Sequence, residues 1–295
     1  MSRVFDALQR SGAEQSGVEY PDLMSMVSQV FEAPQNPVPA EAATAEQPAE
    51  APAPAKTVGG LDSFPSLKVR VTGNSRLVFF TEPDSLAAEK FRFLGVRLRQ
   101  LQQTRPLKKI LVTSTIPEEG KSLVSANLAG VLTRKKQRVL LIEGDLRRPT
   151  LARQFGLGRL AGLGEWLQGE PRAVTNIYYL DGPNFWLMPA GDPPANPLEL
   201  MQSGRLSLLM EHLSGLFDWI VVDSPPLLPL ADTTVWSRLT DGTLLVAREG
   251  RTEKASLQRG LEILKKSDLL GVVLNGCVNS DDKNYYQRYG SPESK

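Results

Sequence analysis

The sequence predicts an α/β fold: a doubly wound, mostly parallel sheet with helices on both faces. Three observations predict it. Short apolar runs rich in β-branched residues alternate with helical patterns, as strands buried on both faces do. One such run passes through a tight glycine-containing loop straight into a helix. Two later runs end on carboxylates, and on parallel sheets ligands gather at the carboxyl ends of strands.

Taken in chain order, four parts are expected. Residues 1–32 form an N-terminal segment. Its stretch 2–11 places Val4, Phe5 and Leu8 on one face of a short amphipathic helix, which reads equally as a frayed end or a docking peptide. Residues 33–65 read as an Ala/Pro-rich linker. Over 33–58, Ala and Pro supply 15 of 26 positions and the only large aliphatics are Val38 and Val58, too little apolar surface to offset the entropy of ordering. A globular domain is expected over 66–279 and a flexible tyrosine-containing tail over 280–295.

Within the domain, Ser85 to Gln103 reads as a helix with Ala87, Phe91, Leu94, Leu98 and Leu101 on one stripe. Ile110–Ser114 is the first buried strand and Leu123 to Arg134 the amphipathic helix after it. Val139–Ile142, Trp186–Met188, Trp219–Val222, Thr243–Ala247 and Val272–Leu274 read as further strands. Asn196-Pro197 opens helical material as a cap residue followed by proline at the first helical position.

Composition excludes several function classes. With 34 basic and 33 acidic side chains the net charge is +1, without the basic excess of a nucleic-acid binder. Cys277 is the only cysteine, so no internal disulfide or cysteine-rich metal site can form, and a reducing cytoplasm fits. His212 is the only histidine and reads as a helix surface residue, which argues against histidine-based zinc sites. No run approaches the ~20 apolar residues that span a bilayer, and residues 1–12 lack the apolar core of a secretion signal. The expectation is a soluble, cytoplasmic protein that reaches a membrane only through a partner.

The chemistry-bearing residues lie in three motifs. Thr115-Ile116-Pro117-Glu118-Glu119-Gly120-Lys121-Ser122 matches a P-loop in its last three residues and in its strand-loop-helix setting, although Thr115 replaces the usual first glycine. Such a loop turns backbone N–H groups inward as an anion nest, and the following helix adds its positive end. Lys121 is expected to reach the β and γ phosphates of ATP, and the Ser122 hydroxyl to bind Mg²⁺. Pro117, Glu118, Glu119, Gly120, Lys121, Ser122 and Leu123 are the expected nucleotide contacts. Glu143 and Asp145 follow the next strand, where carboxylates can hold Mg²⁺ or accept a proton. The strand Trp219–Val222 ends on Asp223, as a Walker-B strand does, followed by Ser224-Pro225-Pro226 and Asp232. Lys121, Glu143, Asp145 and Asp223 are the candidate catalytic residues, and Ser122, Asp145 and Asp223 the candidate metal ligands.

With these motifs in hand, the chain resembles the bacterial tyrosine kinases of capsule and exopolysaccharide loci, relatives of the MinD/ParA-type P-loop ATPases. The resemblance covers roughly residues 78 to 290. It rests on TSTIPEEGKSLVSANLAGVL as Walker A, LLIEGDLRRPTL as the second acidic motif (Walker A′), WIVVDSPPLLPLAD as Walker B, the spacer AGDPPANPLELMQSGRL, and LGVVLNGCVN. It implies that Asn275 lies near the adenine. It also implies that Tyr285, Tyr286 and Tyr289, half of the six tyrosines, are phosphorylated by a neighbouring subunit of a homo-oligomer. A membrane adaptor or chain-length regulator would recruit the protein to the inner face of the cell membrane, and the output would be control of polysaccharide polymerisation and export. Two positions depart from the family pattern. Walker A′ usually begins with Asp where this chain has Glu143. The assembly motif E-x-x-R-x-x-R is matched by Glu89 and Arg92 but ends on Gly95, with Arg97 and Arg99 nearby. Two alternatives stay open from the sequence: a MinD/ParA-like positioning ATPase, disfavoured by the absence of a lysine over 115–119, and a nucleotide-binding regulatory scaffold without efficient kinase activity.

Overall fold

Alternation of apolar side chains to the two faces of one sheet organises the chain. The computed structural model describes residues 61–71, 75–134, 136–169 and 176–277. After a 3-10 turn at Leu61–Ser63 come β1 (Ser66–Lys68), α1 (Val78–Thr81), α2 (Leu86–Thr104), β2 (Lys109–Ser114), α3 (Lys121–Leu132) and β3 (Val139–Glu143). Then follow α4 (Leu151–Gln154), α5 (Leu163–Leu167), β4 (Tyr178–Asp181), β5 (Phe185–Met188), α6 (Pro197–Gln202), α7 (Arg205–Leu216) and β6 (Trp219–Asp223). The last are α8 (Asp232–Leu239), β7 (Gly242–Arg248), α9 (Lys254–Ile263) and β8 (Leu269–Asn275).

The eight strands form one sheet in the order β1-β4-β5-β3-β6-β2-β7-β8. Every pairing is parallel except the β4–β5 hairpin. Val139, Leu141, Trp219 and Val221 enter one core with Ile110 and Val112, while Leu140, Ile142, Ile220, Val222 and Leu111 enter the core on the opposite face. This two-sided burial is why the central strands read as unbroken apolar runs. The predicted doubly wound sheet is thus the fold observed.

Three local expectations are corrected. The helix α3 is buried on nearly every side rather than amphipathic, because α1 and α2 cover its outer face. Gly130 makes room for Phe80, where a Cβ would meet the ring at 2.3 Å, and Asn127 accepts the Phe79 N–H at 2.9 Å. On α2, capped by the Ser85 hydroxyl at 3.1 Å, Ala88 is buried and Ala87 is exposed. Leu61–Pro65 are not linker: the turn at Leu61 leads to Phe64, which is buried in the second core and stacks on Phe217. Asn196 stands at the N-cap position of α6 with Pro197 opening the helix, though its side chain makes no capping hydrogen bond, and His212 lies exposed on α7 as expected. The segment 1–32 and the tail 280–295 lie outside the described residues.

Candidate active site

Parallel pairing sets the carboxyl ends of β2, β3 and β6 side by side. Asp223 is level with Glu143 on one side and Val112 on the other. The loop from Thr115 to Gly120 leaves β2 at this edge and enters α3. Gly120 caps α3 in the left-handed region, at φ 95°, and a Cβ there would lie 2.1 Å from Asn275 Nδ2. Both facts demand glycine. Asn275 itself, at the end of β8, donates from Nδ2 to the Glu119 carbonyl at 2.9 Å. Its position is therefore fixed against the loop.

The side chains of Glu118 and Glu119 brace the loop from outside. Both Glu119 carboxylate oxygens lie 2.9 Å from the Thr115 hydroxyl, the Ile116 N–H donates to Oε2 at 3.0 Å, and the Thr252 hydroxyl donates to Oε1. Glu118, a non-glycine residue at φ 65°, has its carbonyl held by Arg248 at 3.1 Å and its carboxylate by Arg251 at 2.6 Å. The turn after β7 thus clamps the crest of the loop. Sequence reasoning missed Arg248, Arg251 and Thr252, although their place at and just past a buried strand's carboxyl end was a usable signal. Pro117 is exposed at the crest and Leu123 packs on the core beneath.

Inside the loop, Lys121 Nζ lies 3.0 Å from Asp145 Oδ2, with side chains only 12% and 7% exposed. It lies 3.5 Å from Ser122 Oγ. Burial lowers the Lys121 pKa, but the carboxylates of Asp223, Asp145 and Glu143 together outweigh it and leave the amine held charged above its usual value. Asp145 Oδ1 also accepts the Arg148 N–H at 3.0 Å. Asp223 is fully buried, and burial pushes its pKa up to about 6; the Lys121 ammonium and the Ser122 hydroxyl restrain that rise, and the neighbouring acids add to it. Ser125, missed from the sequence, donates to Asp223 Oδ1 at 3.3 Å from the next turn of α3.

Glu143 behaves differently from Asp145 and Asp223. It is buried, with Oε1 taking the backbone N–H groups of Thr150 and Leu151, each at 2.5 Å, and Oε2 taking that of Ala190 at 3.1 Å. Both oxygens are therefore spent tying β3 to the start of α4 and to the chain after β5. The expected role of Glu143 as proton acceptor would compete with this three-amide clamp, which the extra methylene reaches. Gly144 between the two acids is also required, because a Cβ there would meet the Trp236 ring at 2.8 Å. Trp236 Nε1 donates to the Gly144 carbonyl at 3.2 Å, and the Gly144 N–H donates to the Asp223 carbonyl at 2.7 Å. Arg147 closes the motif by pairing with Asp232, which is buried, through Nε at 2.8 Å and Nη2 at 3.2 Å.

Mg²⁺ and a nucleoside triphosphate fit these residues. One ammonium faces an excess of buried carboxylates, a charge that a divalent cation would neutralise. Among the described residues no group of three or more His, Cys, Asp or Glu is arranged to hold an ion alone. Mg²⁺ does not require one, since it binds through one or two carboxylates with water and phosphate oxygens. Tyr285, Tyr286 and Tyr289 lie outside the described residues.

At Gly95 a Cβ would lie 2.3 Å from Val131 Cγ1, so the departure from the assembly motif is a close α2–α3 contact. Arg99 lies over the same spot and donates to the Val131 carbonyl at 2.8 Å. Glu89 and Arg92 pair with each other at 2.7 Å.

No family model matches the chain. Among curated proteins it is 33% identical over 211 residues to the tyrosine-protein kinase YwqD of Bacillus subtilis, covering 71% of this chain and 89% of that one. It is 30% identical over 209 residues to the tyrosine-protein kinase Etk of Escherichia coli K12, covering 70% of this chain but only 29% of Etk's length. Among solved structures, the kinase domain of E. coli Etk superposes with a TM-score of 0.67 at 29% identity, covering 72% of this chain and 84% of that one. The fold, the braced phosphate loop and these likenesses agree: the chain belongs to the bacterial tyrosine-protein kinase family.

Proposed function

We propose that this chain is a Mg-ATP-dependent protein-tyrosine autokinase that phosphorylates Tyr285, Tyr286 and Tyr289 of a second copy. The observation that carries this reading is the buried Lys121–Asp145 pair beside Asp223, at the mouth of a loop whose shape needs Gly120. Mg-ATP, when bound, supplies the phosphoryl group to be transferred. The loop amides and Lys121 hold the triphosphate. Ser122, Asp145 and Asp223 are the residues that would hold Mg²⁺, directly or through water. When the ammonium of Lys121 moves onto phosphate, Asp145 loses its ion-pair partner and becomes the carboxylate free to accept the phenol proton. The tyrosine oxygen then forms its bond to the γ phosphorus as the bond to the ADP oxygen breaks, in line. Such chemistry asks for positioning and charge neutralisation, and this constellation offers both.

Recruitment to the inner face of the cell membrane by an adaptor or chain-length regulator completes the reading. Among the described residues no helix is long and apolar enough to cross a membrane. The cellular output is control of capsule or exopolysaccharide polymerisation and export. Incubation of the full chain with Mg-ATP followed by mass spectrometry tests the reading: phosphate on Tyr285, Tyr286 and Tyr289 that vanishes in Lys121→Met is expected. ATP turnover with unmodified tyrosines would instead favour a positioning ATPase.

A further inference from the structure

The spacer around Asn196 takes no part in the phosphate site, yet the fold carries it to that site's edge. A cleft of about 390 Å³ opens between the Walker A′ loop and the start of α6, lined by Arg147 on one side and Asn196, Pro197, Glu199 and Gln202 on the other. Its walls are fixed. Arg147 is pinned by Asp232 through Nε and Nη2, which leaves Nη1 for a ligand. The far wall is the first turn of α6, anchored by the buried Pro197 and Met201; Glu165 secures the chain that leads to it by accepting the Asp192 N–H at 2.8 Å. Asn196, Glu199 and Gln202 are exposed. The cation stands two residues from Asp145, and the field of Asp145 reaches it.

The cleft therefore offers the remaining guanidinium edge of Arg147, already paired with Asp232, close to the candidate phosphoryl-transfer carboxylates, and the Glu199 carboxylate farther along. The tail of the chain reads Asp281-Asp282-Lys283-Asn284-Tyr285-Tyr286-Gln287-Arg288-Tyr289. Its acidic pair precedes the tyrosines and its basic residues flank them. In an extended peptide, Asp282 and Tyr285 are separated by about 10 Å, so a carboxylate held at Arg147 leaves a tyrosine within reach of the neighbouring site. We propose that this cleft is the acceptor-peptide site, where Arg147 receives the Asp281/Asp282 pair and Glu199 the Lys283 or Arg288 cation of a second copy's tail. The proposal rests on the kinase reading for its purpose, but the binding it asserts is separately measurable.

The test uses a fluorescently labelled peptide of residues 278–295 titrated with the full chain carrying Tyr285→Phe, Tyr286→Phe and Tyr289→Phe, saturated with Mg-ADP and read by anisotropy. Glu199→Arg is expected to weaken binding about five- to tenfold, and Glu199→Gln less. A peptide with Lys283→Glu and Arg288→Glu should recover most of the loss against Glu199→Arg and bind the unaltered cleft poorly. Unchanged Mg-ADP affinity shows that each variant is folded; if Glu199→Arg fails that check, Glu199→Gln decides. Equal binding by both cleft variants, no recovery with the swapped peptide, or no binding to the unaltered cleft overturns the site. Binding with this charge pattern but without phosphate transfer by the chain with its own tyrosines would keep the site and overturn the kinase reading.

Discussion

Asp223 and Glu143 are both carboxylates at strand ends, and their surroundings give them opposite work. Asp223 has few donors and deep burial, so its pKa rises from 3.8 to about 6. The folded state then binds more protons than the unfolded state between those values. Stability of the nucleotide-free chain therefore falls as pH rises from about 4 to 6, and the penalty is complete above that window. Asp223→Asn is expected to raise the nucleotide-free unfolding midpoint at pH 8 by an amount worth roughly 2–3 kcal/mol, with the gain fading below about pH 4. The same variant should lose stabilisation by Mg-ADP; thermal unfolding across pH with and without nucleotide checks both. Glu143 has three amide donors and full use of both oxygens. Glu143→Asp, which restores the family's usual residue, shortens the reach by a methylene and is expected to destabilise the fold by about 1–3 kcal/mol without speeding phosphoryl transfer. Denaturant unfolding and single-turnover assays separate the two effects. That Glu143 is a carboxylate at the site was legible in the sequence; that its oxygens are spent on Thr150, Leu151 and Ala190 was not, because those partners are distant in sequence or hidden in backbone geometry.

At the scale of elements, the phosphate loop is a strap held at its crest by the turn after β7. Thr252 and Arg248 supply side chains to Glu119 and Glu118, and Asn275 supplies another from β8. Thr252→Val leaves the buried Glu119 carboxylate short of a donor. It is expected to weaken Mg-ADP binding about five- to tenfold and to cost about 1–3 kcal/mol of stability, measured by calorimetry and urea unfolding. The α2–α3 contact follows the same logic of close approach. Gly95→Arg would complete the assembly motif in sequence, but it drives a side chain into Val131. Destabilisation by about 1–3 kcal/mol is the expected result, and a more stable oligomer in analytical ultracentrifugation would contradict it. The elements themselves were largely readable. β2, β3, β6 and β7 are apolar on both faces and announce themselves, whereas β1 and β4 were missed because three and four residues at the sheet margin carry only half a pattern. α3 was misread as amphipathic because its cover comes from α1, a single turn with no signal of its own.

At the scale of the whole molecule, the sheet order places the candidate nucleotide-binding residues at one edge and carries the Asn196 segment to the rim beside it. The tyrosines follow β8 in sequence, and β8 is an edge strand whose last residue, Asn275, touches the loop. Transfer between two copies is the central claim of the proposed function. The direct measurement mixes two full-length forms with Mg-ATP. One is Lys121→Met with its tyrosines intact; the other keeps Lys121 but carries Tyr285→Phe, Tyr286→Phe and Tyr289→Phe. Neither alone should yield tail phosphotyrosine. The mixture should label Tyr285, Tyr286 and Tyr289 of the Lys121→Met chain, at an initial rate that rises with total protein concentration. A mixture that stays unlabelled, while the unaltered chain labels itself at a rate per molecule independent of concentration, would contradict the account.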